Sequence, residues 1–512
     1  MMIPPAPPAA DLIHLRDGLR SGAINAVDLL AEMRERARRW DPLLGSYLSI
    51  FDEGALAAAR EHERAREAGE VLPALSGVPL GIKALFATVE EPANAQSLVL
   101  DPRRRVGADA DAVARLRAAG AVITGHNTMV EHAMGRPDPA KPFPIPRNPW
   151  DLTRWPGGSS SGTANGLAAG FFAGGLGTDT TGSIRIPAAM CGLTGLKPTH
   201  GVVPTGGCLP ASPSLDHAGP IVRSARDARL LMEVLAPGFD AATPADPLRI
   251  GVPEELLTAE RGVSDDTLAA VRRALGLLSE RGYHIEPLAL PEFDELISLT
   301  FCIAVAETYA EHAERLRTQW NDYGRSFRRL IVLGAAIPGP VLAGARERIA
   351  LLRRELAERL AGFTAIATPT WPTGAAPYAA SSIPADQTNF TAAWSALGFP
   401  SLSLPAGFDE NGMPVGLLLT GVPGSDATLL GAGEALQEVD DTHLRAPNLE
   451  VTAAGDPGPV PDPDRDAEIT GATIAPADQA PWLAALGLTL DAHEYAVIEA
   501  TSRALFAATA PR

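Results

Sequence analysis

Residues 155–198 read WPGGSSSGTANGLAAGFFAGGLGTDTTGSIRIPAAMCGLTGLKP. Two serine-bearing glycine clusters stand in this stretch, Gly157–Gly158–Ser159–Ser160–Ser161–Gly162 and Thr180–Thr181–Gly182–Ser183. Between them the small-residue run from Thr163 to Gly170 predicts a buried helix, followed by Gly174–Gly175–Leu176–Gly177. Glycine admits the backbone conformations and close approaches that crowded sites require. A serine ending such a run can have several backbone N–H groups aimed at one point beside its own hydroxyl, which is how an oxyanion is stabilised. Most Gly/Ser tracts are linkers, but here apolar residues interrupt the glycines at every step and the composition is that of a core. A phosphate cradle is excluded on detail: no Lys-Ser or Lys-Thr follows the first cluster, and Gly175–Leu176–Gly177 lacks the third glycine of a dinucleotide fingerprint. Nor is there a Gly-x-Ser-x-Gly elbow, because Gly182–Ser183 runs on into Ile184–Arg185.

The stretch closely resembles the pattern of the amidase signature family. GGSS(G/S)G falls at Gly157–Gly162, GTDTGGSIR at Gly177–Arg185 and GxxGxKPT at Gly192–Thr199, and the interval from Ser159 to Ser183 also matches. The resemblance reaches upstream to Gly77, downstream through Ser214–Pro220, and returns from Gly398 to Gly421. It implies an α/β fold with a large central mixed, twisted β-sheet flanked by helices on both faces. It also implies a Ser–cisSer–Lys catalytic group. Ser183 is then the nucleophile that forms an acyl-enzyme, Ser159 the proton relay, and Lys83 the base. The same resemblance makes the Gly158–Ser159 peptide cis and puts the oxyanion hole on the backbone N–H groups of Thr180, Thr181, Gly182 and Ser183. Asn127–Gly135 resembles the family's N-x-x-E-x-A-M-G loop, so Met129 and Met134, with Gly158, are expected to border the substrate. Asp179 and Arg185 are expected to be scaffolding, and Asp216 a structural residue. Neither a cofactor nor a metal is implied. The chain departs from the pattern at Ala84, Thr181 and Ser395, where the family has aspartate, glycine and asparagine.

The lysines point the same way from composition. Of 43 basic residues only Lys83, Lys141 and Lys197 are lysine. Arginine cannot be deprotonated in a protein, whereas a buried lysine can. Lys83 stands in the apolar run Leu75–Phe86, which predicts a buried strand carrying one cation whose pKa burial lowers. His200 and His217, the latter beside Asp216, invite a Ser-His-Asp reading. Adjacency in sequence does not supply triad geometry, and both histidines are left out of the mechanism.

Outside the signature, apolar spacing predicts two helices within 10–40, a third over 53–69, and a helix over 110–119 with a strand at 121–124. This helix–glycine–strand rhythm argues for many parallel strands. A helix at 341–360, a strand at 365–368 and a strand pair within 394–421, turning at Asp409–Gly412, follow. Residues 1–445 are expected to form one domain: helices at about 10–70, a signature core at about 75–235, a variable pocket region at about 240–390 and closing strands at about 390–425. The prolines at 447, 457, 459, 461 and 463 mark residues 446–474 as a linker. Residues 475–512 then predict a small helical tail with an apolar face to bury on the main domain or a neighbouring subunit.

The formal net charge of −18 argues against nucleic acid or an anionic membrane as partner. Three cysteines, Cys191, Cys208 and Cys302, make neither a disulfide framework nor a metal pattern. The N-terminus lacks the basic start and apolar run of a signal peptide, and no apolar run reaches the ~18 residues of a spanning helix. A cytoplasmic monomer or homodimer is expected, cleaving a carbon–nitrogen bond of a small, apolar or aryl amide or carbamate. Two alternatives stand beside it: the glutaminase component of a tRNA-dependent amidotransferase, and a non-catalytic relative acting as a binding protein.

Overall fold

Local signals set the N-terminal helices of the computed structural model, which describes residues 11–240, 248–378, 388–453 and shorter pieces between 457 and 499. Asp11 caps α1 (Leu12–Ser21) by accepting from the His14 N–H at 2.8 Å, and the predicted stripe of Leu12, Leu15 and Leu19 is buried. Asn25 caps α2 (Ala26–Leu44) in the same way. There follow β1 (Tyr47–Ile50), α3 (Asp52–Glu67), β2 (Pro79–Lys83), α4 (Asp111–Ala118) and β3 (Val122–Asn127). The small-residue run forms the predicted helix α5 (Ser161–Ala168), every residue of it buried. A Cβ on Gly162 would collide with the Ser46 carbonyl oxygen and lie 2.5 Å from the Thr128 nitrogen. Only glycine lets α5 press that closely on the backbone beside β1 and β3.

The signature continues as β4 (Gly174–Asp179), α6 (Arg185–Cys191) and β5 (Thr194–Lys197), then β6 (His217–Val222) and α7 (Ala225–Leu235). The second half supplies β7 (Arg249–Val252), α8 (Asp265–Glu280), β8 (His284–Pro287), α9 (Phe293–Thr318), α10 (Arg325–Ile331), α11 (Gly339–Leu360) and β9 (Ala365–Pro369). It closes with α12 (Ala392–Ala396), the hairpin β10 (Ser401–Phe408) and β11 (Pro414–Thr420), and α13 (Asp426–Gln437).

These strands form one sheet of 11 in the order β1-β3-β2-β4-β6-β5-β10-β11-β9-β7-β8. Its pairing is mixed. β2–β3, β2–β4, β7–β8 and β7–β9 are parallel, while β1–β3, β4–β6, β5–β6, β5–β10, β10–β11 and β9–β11 are antiparallel. The helix–glycine–strand rhythm therefore overstates the parallel share. β10–β11 is a hairpin, which cannot be parallel, and β5 joins β6 without a crossover helix and pairs with it antiparallel.

Helices cover both faces, and strand periodicity sorts the core between them. Leu417 and Leu419 of β11, with Ala365 and Ala367 of β9, join the cluster that holds α1, α4, α7, α8 and α13. Leu418 and Ile366, one residue out of step, join the cluster built on α9, α10, α11 and α12. β2 and β4 run parallel, so Lys83 and Asp179 stand at the carboxyl ends of neighbouring strands. That edge is where open α/β sheets place their ligands. Among the described residues no single helix is long and apolar enough to cross a membrane.

Of the expected linker 446–474, residues 454–456, 461 and 463–472 lie outside the described residues; of the tail, so do 475–480, 485, 487, 489, 492–493 and 500–512, including Leu505 and Phe506. The described part of the tail is not all helical. Residues 473–474 pair antiparallel with 490–491, between helical turns at Pro481–Ala484 and 494–499. Its apolar face is buried on the main domain: Leu483, Leu488, Leu490 and Ile498 share a cluster with Trp320, Tyr323 and Phe327. Each such side chain contributes roughly 1.5–3 kcal/mol when fully buried. Glu494, 3% exposed, accepts from Arg328 Nε at 2.7 Å inside that contact. Removing one partner of a buried ion pair leaves the other charge stranded. Glu494→Ala is expected to cost about 3 kcal/mol at this contact, read as early proteolytic release of the tail and a lower thermal midpoint.

Candidate active site

Lys83 ends β2 with its side chain fully buried. Its Nζ lies 2.8 Å from Ser159 Oγ and 2.7 Å from Thr178 Oγ1, with the Thr178 carbonyl at 3.4 Å. No carboxylate makes an ion pair with it among the described residues. Burial disfavours the ammonium form and pulls the pKa from 10.5 down to about 7, which the carboxylates of Asp179 and Asp216 offset only in part. Ala84 leaves no carboxylate at the next position. The amine is therefore poised to exchange a proton near neutral pH.

Ser159, 3% exposed, precedes α5, and its peptide bond with Gly158 is cis. Ser160 ties the two serine segments together: its N–H donates to the Ser183 carbonyl at 3.2 Å and its hydroxyl to the Thr178 carbonyl at 3.2 Å. Ser161 donates back to the Gly157 carbonyl at 2.7 Å.

The loop between β4 and α6 is held from inside by Asp179. This carboxylate, fully buried with Arg185, accepts from Arg185 Nη2 and Nε at 2.8 and 2.9 Å, from the Gly182 N–H at 2.8 Å and from the Ile184 N–H at 3.1 Å. Burial alone would raise its pKa, but the Arg185 charge and hydrogen bonds hold it well below the usual carboxylate range. The expected scaffolding pair is thus in place, and Ser395 completes it by accepting from Arg185 Nη2 at 2.9 Å. Asp216 supports the loop from the other side, accepting from Thr180 Oγ1 at 2.6 Å and from the N–H groups of Ala211 and Ser212. Burial raises its pKa to about 6.

One expected donor is spoken for. The Gly182 N–H points at Asp179, so it is withdrawn from the four expected around an oxyanion. The N–H groups of Thr180, Thr181 and Ser183 have no acceptor among the described residues. Gly182 is required for another reason: its φ is +143°, and a Cβ there would collide with Thr391 Oγ1 and lie 2.5 Å from Ile186 Cδ1. Thr181 is not among the non-glycine residues of positive φ, so the threonine fits where the family has glycine. Ser183 itself is 6% exposed, and its hydroxyl makes no hydrogen bond among the described residues.

The remaining candidates fall as follows. Met129 and Met134 are buried in separate apolar clusters, the first with Ala84 and Leu209, the second with Phe327 and Trp394. His217 is engaged behind the sheet edge, with Nδ1 2.6 Å from the Leu215 carbonyl and Nε2 3.1 Å from Lys197 Nζ, and His200 packs edge-on against it. Most aromatics of the variable region are core: Phe293, Tyr323 and Phe327 are at most 1% exposed. Sequence reasoning missed Thr178, although it sits inside the GTDT motif one strand over from Lys83. It also missed Thr391, for which no local signal exists.

The Amidase family model matches residues 28–430. A glutamyl-tRNA(Gln) amidotransferase subunit of Roseiflexus sp. (strain RS-1) is 36% identical over 483 residues, spanning 86% of this chain and 98% of its own. Among solved structures, one described as an amidase superposes with a TM-score of 0.78 at 31% identity, covering 84% of this chain and 99% of its own. The peptide amidase from Stenotrophomonas maltophilia superposes with a TM-score of 0.72 at 27% identity, covering 86% and 98%.

Proposed function

The chain belongs to the amidase family and is a hydrolase of amide carbon–nitrogen bonds, and we propose that it acts alone on a small, apolar or aryl amide or carbamate. The observation that carries this reading is the buried Lys83 amine, free of any carboxylate partner among the described residues and 2.8 Å from Ser159 Oγ, with the Ser183 loop bonded to the same segment. In the neutral state the amine's lone pair accepts the Ser159 proton over that contact, and Ser159 takes the proton of Ser183 as its oxygen attacks the substrate carbonyl. The N–H groups of Thr180, Thr181 and Ser183 stabilise the tetrahedral oxyanion. Collapse expels the amine, which takes the stored proton through Ser159, and water then cleaves the acyl-serine by the same relay in reverse.

An apolar substrate is supported by what flanks the two serines. Trp155 Cζ2 and Val130 Cγ2 lie 2.9 and 3.0 Å from the Cβ position of Gly158, and Ile186 borders Gly182. Ile186, Met190 and Trp371, with Trp155 packed on them, form one apolar cluster. Three free cysteines fit a reducing compartment.

A second reading, an amidotransferase component that needs partner chains, is favoured by the 36% identity to the Roseiflexus protein. Assay of the purified chain on p-nitroanilides and aryl carbamates, with and without glutamine, separates the two. Turnover of apolar members without glutamine is the expected result. Silence on the whole panel, with ammonia released from glutamine instead, would replace the first reading by the second.

A further inference from the structure

The peptide linking Thr181 to Gly182 is gripped at both ends. Its N–H donates to Asp179 Oδ1 at 2.8 Å, and its carbonyl accepts from Thr391 Oγ1 at 2.7 Å. Thr391 is remote in sequence and directly precedes α12. A hydroxyl carries one proton, and Thr391 Oγ1 has a second oxygen within reach, Asn389 Oδ1 at 2.8 Å. That oxygen already takes the N–H groups of Thr391 and Ala392 at 3.1 and 3.0 Å. Its acceptor capacity is filled, whereas the Thr181 carbonyl has no other donor among the described residues. The proton therefore belongs to Thr181.

The grip closes on itself. The Thr391 carbonyl accepts from Arg185 Nη1 at 2.8 Å, Arg185 is paired to Asp179, and Asp179 holds the Gly182 N–H. The next peptide is fixed from the opposite side, because the Gly182 carbonyl accepts from the Ile186 N–H at 2.8 Å. In a trans peptide the N–H points away from the carbonyl, so the Ser183 N–H is turned away from α6 and left free. Two successive peptide planes are thus fixed by Asp179, Thr391 and Ile186, and only Thr391 among these comes from outside the signature stretch.

We propose that Thr391 is a positioning residue. Its hydroxyl fixes the plane of the Thr181–Gly182 peptide and so aims the neighbouring N–H groups of Thr181 and Ser183 at the oxyanion. Fully buried, it acts through the Thr181 carbonyl and not on the reacting atoms. Its effect belongs to the transition state, because charge on the carbonyl oxygen develops there and misaimed donors act most strongly at that point. This role rests on Ser183 as nucleophile, which phosphonate labelling of the wild type checks independently.

The full-length chain is compared as wild type, Thr391→Ala and Thr391→Ser, with Thr391→Val as a second variant without the hydroxyl. Two quantities are read: the kcat and KM split on the best anilide, and the rate at which a serine-directed phosphonate labels Ser183. Labelling needs no knowledge of the natural substrate. Thr391→Ala and Thr391→Val are expected to lower kcat and labelling rate by about 10–100-fold, with KM within about threefold, while Thr391→Ser stays near wild type. A folded Thr391→Ala protein that keeps wild-type kcat and labelling would overturn the proposal. So would a Thr391→Ser protein as impaired as Thr391→Ala, since packing of the methyl group would then be the cause. Failure of the phosphonate to label wild-type Ser183 would instead overturn the nucleophile assignment beneath it.

Discussion

Ser183→Ala is expected to lower turnover by about 10⁴-fold or more while leaving the fold unchanged. The hydroxyl makes no hydrogen bond among the described residues, so its removal strands no buried partner. The backbone of the loop stays tied through Asp179, Ser160 and Ile186. The variant should therefore keep the wild-type thermal midpoint and circular dichroism, lose phosphonate labelling, and show only residual hydrolysis. Ser159 is not expected to take over, because its Oγ is committed to the Lys83 amine. Turnover within tenfold of wild type, or label recovered on Ser159, would move the nucleophile away from Ser183.

Lys83→Met is expected to abolish turnover and to stabilise the protein at neutral pH, two effects with one cause. A buried amine with a pKa near 7 instead of 10.5 costs the folded state about 5 kcal/mol at low pH. Methionine removes that cost but leaves Ser159 Oγ and Thr178 Oγ1 without the amine, at ~1 kcal/mol or more each. A net gain of about 2 kcal/mol remains, a rise of roughly 1–3 °C in the midpoint.

The sign follows from proton binding. Between about pH 7 and 10.5 the unfolded chain holds a proton on this lysine that the folded chain does not. The Lys83 contribution to stability therefore rises with pH across that window. The advantage of Lys83→Met should be full below about pH 7, shrink as pH rises, and become a net loss by about pH 10.5, where only the stranded Ser159 and Thr178 hydroxyls count. Activity moves in the matching direction: wild-type kcat/KM should climb with pH through about 7, as the free amine appears. A flat profile between about pH 5.5 and 8.5, or a Lys83→Met protein that still turns over, would remove Lys83 from the role of base.

Much of this site was legible because its parts are short and chemically unusual. Glycine beside serine, a lysine in an apolar strand and the interval between two serines are local properties, and each constrains the backbone or the proton inventory where it stands. The expected pairing of Asp179 with Arg185 is of the same kind, six residues apart within one turn-and-helix. Strand direction was less legible. A rhythm of helix and strand reports periodicity, and periodicity is the same whether the next strand lies parallel or antiparallel.

The sequence by itself determined the family and the α/β class, and it marked out the three residues proposed here for the chemistry: the Ser183 hydroxyl, the Ser159 hydroxyl and the buried amine of Lys83. Only the tertiary structure decided which backbone donors remain free. Asp179 withdraws the Gly182 N–H, Asp216 holds Thr180, and Thr391, 210 residues further along the chain, fixes the Thr181 carbonyl. The physical reason is that nearly every residue carries a backbone donor and acceptor alike. Whether such a group is spent or available depends on which distant oxygen or hydroxyl folding brings beside it, and no local pattern encodes that.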